Sequence, residues 1–255
     1  MNGIVIIPTY NEAANIEPLV KQILSQPGAL DVLIVDDNSP DGTGRIADAL
    51  AGDWALSSGR VNVLHRPGKE GLGRAYLAGF AWALKRGYSM LIEMDADFSH
   101  DPIYLPKLLE AAKDADVILG SRYLNGISVV NWPLQRILLS WGANQYVRRV
   151  TGLQANDCTS GYRLYKREAL EAMDLGSVTS NGYSFQVEMA FRAHQAGFHI
   201  VEVPIVFTER RSGSSKMSRG VIWESILVPL KLRRTVKQTN PAAERDLMRP
   251  IKKAA

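Results

Sequence analysis

Short apolar segments alternate with amphipathic ones along the first half of the chain. The amphipathic segments carry apolar residues at helical spacing, as at Ile16, Leu19 and Ile23. The apolar segments are rich in Val, Ile and Leu, which is typical of strands buried on both faces. They are Gly3–Pro8, Val32–Val35, Val61–Leu64, Met90–Met94 and Asp116–Leu119. Strand alternating with helix predicts an α/β fold with a mostly parallel, Rossmann-like sheet flanked by helices.

The regular alternation of predicted strands and helices ends after Gly120. A strand predicted over Ile200–Val206 contains Pro204, which favours an edge position because proline cannot donate to a ladder. The pattern further predicts a long helix, a short strand and a second helix, at Trp132–Thr151, Thr159–Tyr165 and Ser184–Ala196.

The C-terminal part combines apolar periodicity with positive charge. Arg219–Lys237 predicts a basic amphipathic helix kinked at Pro229, and residues 238–255 are polar and basic without periodicity, which predicts disorder. From Thr208 to Ala255 there are twelve Lys and Arg against four Asp and Glu, so the net charge of +4 is concentrated at this end. The helix is expected either to lie in a membrane interface or to dock on the protein's own sheet.

Composition narrows the class of protein. The chain has 255 residues, 46% of them hydrophobic and 22% charged, which fits a globular protein with a sizeable core. No apolar run is long enough for a transmembrane helix, and the early first strand leaves no room for a signal peptide. Cys158 is the only cysteine, which indicates a reducing, cytoplasmic compartment.

Polar side chains follow the predicted strands where each one ends. In a parallel sheet these positions share one edge, and α/β folds bind their ligands in the crevice there. The residues are Tyr10 and Glu12, then Asp36, Asp37 and Asp41, then Asp95 and Asp97, and finally Arg122. Loop solvation explains any one of them, but not the clustering of all of them.

Asp95 and Asp97 stand one residue apart directly after a buried strand. Two carboxylates beside a substrate phosphate are a common way to hold Mg²⁺ or Mn²⁺. The alternative is an ordinary turn, because Asp is a frequent turn residue.

The glycine-rich loop His65–Gly73 has neither the phosphate-loop spacing nor the dinucleotide-binding spacing. Its glycines supply a turn before the next helix, and Lys69 is expected to assist a diphosphate.

Five motifs occur in order along the chain: Pro8-Thr9-Tyr10-Asn11-Glu12, Asp36 to Thr43, Asp95 to His100, Gly120-Ser121-Arg122-Tyr123, and Arg210 with Gly213 to Lys216. Together they resemble family 2 glycosyltransferases of the GT-A fold, and within them the polyprenol-phosphate (dolichol-phosphate) mannosyltransferases. The resemblance spans about Gly3–Lys237. It implies a catalytic domain over 1–237, in which 219–237 is the amphipathic helix, followed by the tail.

This resemblance implies an inverting transfer of mannose from GDP-mannose to a membrane polyprenyl monophosphate. Pro8, Tyr10, Glu12, Val35 and Asp37 would frame the guanosine. Asp95, Ala96 and Asp97 would bind the donor diphosphate, with Mg²⁺ or Mn²⁺ held by Asp95 and Asp97. Arg210 and Lys216 would close over the donor and acceptor phosphates.

The implied acceptor site consists of Arg122, Arg136 and Ser140. Catalysis would rest on Asp97, Arg122, Arg210 and Lys216. Some members have Gln as a third metal ligand where this chain has Ser99, whose hydroxyl would ligate directly or through water. Asp157 and Glu188 are expected to orient other groups, because a phosphomonoester is already an anionic nucleophile. His100 is expected to be a helix N-terminal residue rather than a base.

Two alternatives remain open at this stage. One is a polyprenyl-phosphate glucosyltransferase or another family 2 enzyme. The other is a non-enzymatic nucleotide-binding module. Nucleic acid is not expected as a partner, because aromatic residues are not interleaved with the basic ones in any recognised motif. A peripheral position on the cytoplasmic face of the membrane is expected, with a membrane-anchoring partner protein as a possibility.

Overall fold

The computed structural model describes residues 2–53, 59–209 and 219–239, with the side chains of the last segment described over 224–234. The strands are β1 (Gly3–Thr9), β2 (Asp31–Asp36), β3 (Val61–His65), β4 (Met90–Glu93), β5 (Val117–Ser121), β6 (Val129–Val130), β7 (Arg163–Lys166), β8 (Ile200–Pro204) and β9 (Phe207–Thr208). The helices are α1 (Ile16–Leu24), α2 (Thr43–Ala51), α3 (Leu72–Lys85), α4 (Leu105–Ala111), α5 (Leu134–Thr151), α6 (Arg167–Ala172), α7 (Gly182–Gln195) and α8 (Arg219–Thr239).

Among the described residues the main sheet has seven strands in the order β3-β2-β1-β4-β7-β5-β8. Each neighbouring pair is parallel except the two that involve β7, which runs antiparallel between β4 and β5. The predicted mostly parallel α/β sheet is therefore confirmed. β8 lies at an edge and ends at Pro204, as proline's missing donor requires.

Alternate residues of β1 point to opposite faces of the sheet, and each face has its own hydrophobic core. Ile4 and Ile6 pack in a cluster with aromatic residues of α3 and α7, whereas Val5 and Ile7 pack with α1, α2 and α4. Because both faces are covered by helices, the strand is apolar at nearly every position.

Two predicted elements begin two or more residues later in the structure. The strand predicted over Thr159–Tyr165 is β7, Arg163–Lys166, because carbonyls in the preceding loop are bonded by the Arg163 side chain instead of a neighbouring strand. The guanidinium of Arg163 donates to the Cys158 and Ser160 carbonyls at 2.7 Å each. The helix predicted from Trp132 begins at Leu134, since Pro133 is extended with ψ of 145°.

The helix α8 ends at Thr239, two residues beyond the predicted end at Lys237. The rest of the predicted tail, 240–255, lies outside the described residues. Over the part of the chain that the structure describes, no helix is both long and apolar enough to cross a membrane.

Candidate active site

Two adjoining cavities lie at the carboxyl edge of the sheet. The smaller one, of about 60 Å³, is lined by Asp95, Asp97 and Ser99 together with Arg136 and other polar residues. The larger one, of about 430 Å³, is mostly apolar and runs between α5, α7 and α8. Arg122, Trp132, Arg136, Thr159 and Tyr183 line both, so a molecule could extend from one cavity into the other.

The loop after β4 presents Asp95 and Asp97 to the smaller cavity. Asp95 accepts a hydrogen bond from the Tyr76 hydroxyl at 3.1 Å, and Asp97 accepts one from the Ser99 backbone N–H at 3.0 Å. Phe98, between Asp97 and Ser99, has a positive φ of 62°, a conformation that turns the chain sharply. The tight turn and the Tyr76 contact together fix both carboxylates at the cavity wall.

The residues present fit a divalent cation. The Ser99 hydroxyl oxygen is buried and has no hydrogen-bond partner among the described residues, although it lines the cavity with Asp95 and Asp97. Three hard oxygen donors of this kind suit Mg²⁺ or Mn²⁺. Within the described ranges no group of three His, Cys, Asp or Glu side chains could hold a metal alone.

His100 lies beneath this loop, one residue before Asp101, which caps the short 3-10 helix Pro102–Tyr104 that leads into α4. Its ring is buried, accepts a hydrogen bond from the Asp95 backbone N–H at Nδ1 (3.1 Å) and stacks on Tyr162. Burial lowers the pKa of His100, with Asp95 and Asp97 opposing the shift. A neutral ring that accepts at Nδ1 supports the loop backbone.

A second buried layer lies under the two aspartates. The Glu93 carboxylate accepts a hydrogen bond from Gln186 at 2.7 Å, and the Gln186 carbonyl accepts one from Arg163 at 2.7 Å. Burial raises the pKa of Glu93 to about 8, against the opposing effects of Arg163 and Gln186. No motif singled out these residues, because their contacts join elements that are distant in the chain.

On the donor side, Tyr10 and Lys69 come together. The Lys69 Nζ lies 4.2 Å from the centre of the Tyr10 ring, a cation–π contact. Pro8 and Val35 are paired across β1 and β2, but Val35 is fully buried in the core and exposes no surface to a nucleoside. Glu12 is held by the neighbouring loop through its backbone N–H, which donates to the Thr43 hydroxyl at 2.9 Å.

Asp37 forms an ion pair with Arg66, a residue that the sequence analysis did not single out. Burial raises the pKa of Asp37, and Arg66 opposes that shift. The neighbouring Asp36 and Asp41 instead accept hydrogen bonds that fix the loops. Asp36 accepts from the Thr9 hydroxyl at 3.0 Å, and Asp41 from the Ala13 backbone N–H at 3.0 Å.

Arg122 is held by Asp157 in a buried, two-pronged ion pair. Its Nε and one terminal nitrogen donate to the two carboxylate oxygens at 2.6 and 2.7 Å, and its backbone N–H donates to the same carboxylate at 3.0 Å. Burial alone would raise the pKa of Asp157, but Arg122 holds it below its usual range. Asp157 thus orients Arg122, while the other terminal nitrogen has no hydrogen bond to any described residue.

Arg136 and Ser140 lie on α5 beside Arg122. Arg136 is paired with Glu209 at the end of β9, and its guanidinium stacks on the Trp132 ring at 4.0 Å. The Ser140 hydroxyl accepts a hydrogen bond from Tyr123 at 2.8 Å. All three predicted acceptor residues therefore line the larger cavity.

Arg210 and Lys216 lie outside the described residues. Glu188 lines neither cavity, because its carboxylate is bonded to the Ser180 hydroxyl at 2.5 Å and to Arg192 at 2.6 Å.

The architecture is that of GT-A glycosyltransferases. Glucosyl-3-phosphoglycerate synthase from Mycobacterium tuberculosis aligns with a TM-score of 0.62 at 17% identity, covering 91% of this chain and 79% of that one. Mannosyl-3-phosphoglycerate synthase from Rubrobacter xylanophilus aligns with a TM-score of 0.64 at 15% identity, covering 93% and 75%. The first of these proteins has also been solved with Mn²⁺ and uridine diphosphate.

Sequence comparisons are more specific. The model of glycosyl transferase family 2 matches residues 4–174. Undecaprenyl-phosphate mannosyltransferase of Micrococcus luteus is 48% identical over 89% of this chain and 92% of its own length. Polyprenol monophosphomannose synthase of Mycolicibacterium smegmatis is 51% identical over 88% and 83%. The chain belongs to glycosyl transferase family 2 and is a glycosyltransferase, as its motifs predicted.

Proposed function

We propose that this protein transfers mannose from GDP-mannose to the phosphate of a membrane polyprenol, with inversion at the sugar. One observation carries the proposal. The Asp95–Asp97 loop and the arginines Arg122 and Arg136 meet at a polar cavity that opens into an apolar one. A phosphate attached to a long hydrocarbon matches that combination, and the names of the two relatives point to the same acceptor and sugar.

The larger cavity suits the first isoprene units of such a lipid. Its wall is mostly aliphatic and is formed by Leu138, Leu139, Ala143, Val147, Val187, Ile226 and Pro229. The Tyr146 hydroxyl donates to the Ile226 carbonyl at 2.7 Å, which ties α5 to α8 across this wall. Apolar pockets with a few polar groups at one end bind ligands in a defined orientation, so the phosphate would lie at the arginine end.

The donor would lie over the ends of β1, β2 and β4. Tyr10, Lys69 and the Asp37–Arg66 pair line the nucleoside side, and Asp95, Asp97 and Ser99 would hold Mg²⁺ or Mn²⁺ on the diphosphate. When bound, the cation neutralises charge on the departing diphosphate. Arg210 and Lys216 are proposed to complete the phosphate contacts.

The proposed reaction does not require a strong general base. The acceptor phosphate is an anionic nucleophile at neutral pH, so the protein must bring two negative groups together and align them. Arg122 is pre-oriented by Asp157 for this task, and Arg136 is positioned on the Trp132 ring. Guanidinium groups suit phosphate because their N–H donors match its oxygens. An oxygen of the acceptor phosphate then bonds to the anomeric carbon as the bond to GDP breaks.

A membrane-facing surface lies beside the opening of the larger cavity. Large apolar side chains are exposed along α5 and α8, at Leu134, Leu138, Leu139, Trp141, Ile226, Leu227 and Leu230. Lys231, Arg233 and Arg234 on the last turns of α8 add positive charge. Apolar anchors with adjacent basic residues favour binding to the surface of an anionic bilayer. We therefore propose a peripheral position on the cytoplasmic face, which leaves room for a membrane-anchoring partner.

The test is a two-donor assay. The protein is incubated with Mn²⁺ or Mg²⁺, a polyprenyl phosphate in detergent, and either radiolabelled GDP-mannose or UDP-glucose. Label in the lipid fraction from GDP-mannose alone supports the proposal. Label from UDP-glucose alone would contradict the donor assignment and favour a polyprenyl-phosphate glucosyltransferase. Asp97→Asn should abolish transfer, whereas Asp48→Asn, on the exposed side of α2, should not.

A further inference from the structure

Among the described residues, the proposed acceptor side of the site contains two arginine–carboxylate pairs that differ in their surroundings. The Arg122–Asp157 pair is buried, with side-chain exposures of 4% and 0%, and is two-pronged. The Arg136–Glu209 pair is partly open to solvent, with exposures of 21% and 28%, and joins one nitrogen to one oxygen. Removing a partner from a buried pair strands a charge away from water, whereas a partly exposed pair separates at little cost. Only the second pair is easily opened.

The position of Glu209 bears on how the acceptor phosphate would bind. It lines the smaller cavity with Asp95 and Asp97, while Arg136 lines both cavities. A carboxylate on Arg136 therefore takes the place where a phosphate bridging the two cavities would be bound. It also adds a third negative group to a cavity that must receive an anion, which costs acceptor affinity while the pair is closed.

Each half of this pair has an anchor other than the ion pair itself. Arg136 rests on the Trp132 ring, and Trp132 in turn packs edge-on against Phe207 at 5.3 Å. The Glu209 backbone N–H donates to the Val130 carbonyl at 3.1 Å. Because stacking rather than the ion pair supports the guanidinium, Arg136 can keep its position when its anionic partner changes.

We propose that Glu209 is an internal placeholder for the acceptor phosphate on Arg136, displaced when the lipid phosphate binds and restored when the product leaves. This inference rests on the acceptor assigned under the proposed function. The acceptor is a phosphomonoester with more than one negative charge, whereas the glycosylated product is a phosphodiester with a single one. Glu209 therefore competes better with product than with substrate and favours product release.

Direct binding tests the exchange without requiring turnover. Farnesyl phosphate is titrated into the full chain by calorimetry, for the wild type and Glu209→Gln. The free energy that a partly exposed ion pair contributes predicts a Kd roughly two- to fivefold lower for Glu209→Gln than for the wild type. Glu171→Gln, which removes the same charge from an exposed pair with Arg167, is the matched control and should leave the Kd unchanged. An unchanged or higher Kd for Glu209→Gln overturns the proposal.

A double-mutant cycle separates exchange on Arg136 from a general charge effect. If Glu209 acts by occupying Arg136, the tightening caused by Glu209→Gln disappears in an Arg136→Met background. Equal tightening in that background overturns the placeholder role. Failure of the wild type to transfer mannose in the two-donor assay would contradict the proposed function. The binding measurements would still show whether an anion exchanges with Glu209 at Arg136.

Discussion

Asp157→Asn is the most informative perturbation of the proposed acceptor site. Asp157 is fully buried and receives three hydrogen bonds from Arg122, at 2.6, 2.7 and 3.0 Å. The substitution leaves a buried guanidinium without its counter-charge, which typically costs about 3–5 kcal/mol. The amide oxygen of Asn keeps part of the hydrogen bonding, so we expect a loss of about 3 kcal/mol, at the lower end of that range.

The assay is urea unfolding at pH 7 followed by far-UV circular dichroism. Glu171→Gln is the control, because its ion pair with Arg167 is as short, at 2.6 Å, but partly exposed. That control should lose no more than about 1 kcal/mol. A loss for Asp157→Asn no greater than that of the control would refute the argument from burial.

The pH dependence gives a second check on the same variant. The pKa of Asp157 is lowered in the folded protein, so its stabilisation is fully present above the unfolded value and is lost as the pH falls through the folded one. The gap in unfolding free energy between wild type and Asp157→Asn should therefore shrink below about pH 4. A gap that stays constant down to pH 3 would contradict the assigned ion pair.

Three further predictions concern the metal, the buried acid and the membrane surface. Ser99→Ala should weaken Mn²⁺ binding in the presence of GDP on the order of 10-fold by calorimetry; unchanged affinity would mean that Ser99 does not contact the metal. Because the pKa of Glu93 is raised to about 8, its contribution to stability is lost as the pH rises from about 4.3 to 8. In the presence of a metal chelator, the unfolding free energy of Glu93→Gln should therefore rise relative to that of the wild type as the pH rises over that interval. A pH-independent difference would contradict the raised pKa. Leu138→Glu should reduce co-sedimentation with anionic vesicles severalfold by placing a charge among apolar anchors. Ala49→Glu, at an exposed position of α2, should leave co-sedimentation unchanged. Equal loss in both variants would indicate a general charge effect.

Much of the fold follows from local pattern. The apolar segments of the first half became strands within one or two residues of their predicted ends, because a strand buried on both faces has little freedom in composition. The carboxyl-edge location of Asp95 and Asp97 followed from the same pattern, since parallel strands place their ends together. The antiparallel β7 did not follow, because its direction depends on the neighbours on either side of it.

The partners of the site residues were far less accessible to prediction. Arg66, Trp132 and Glu209 carry no motif, yet they contact Asp37 and Arg136. Each of these contacts joins residues from different elements. Sequence spacing alone holds no information on such contacts unless they recur at a fixed interval.

The sequence by itself determined the fold class, the family and the chemical types gathered at one edge of the sheet. These depend on hydrophobic periodicity and on short motifs whose members are neighbours in the chain. Only the tertiary structure decided that the Arg122–Asp157 pair is buried, whereas the Arg136–Glu209 pair is partly exposed to solvent. Burial separates the two pairs, and burial depends on how distant segments pack around a charge rather than on the residues beside it.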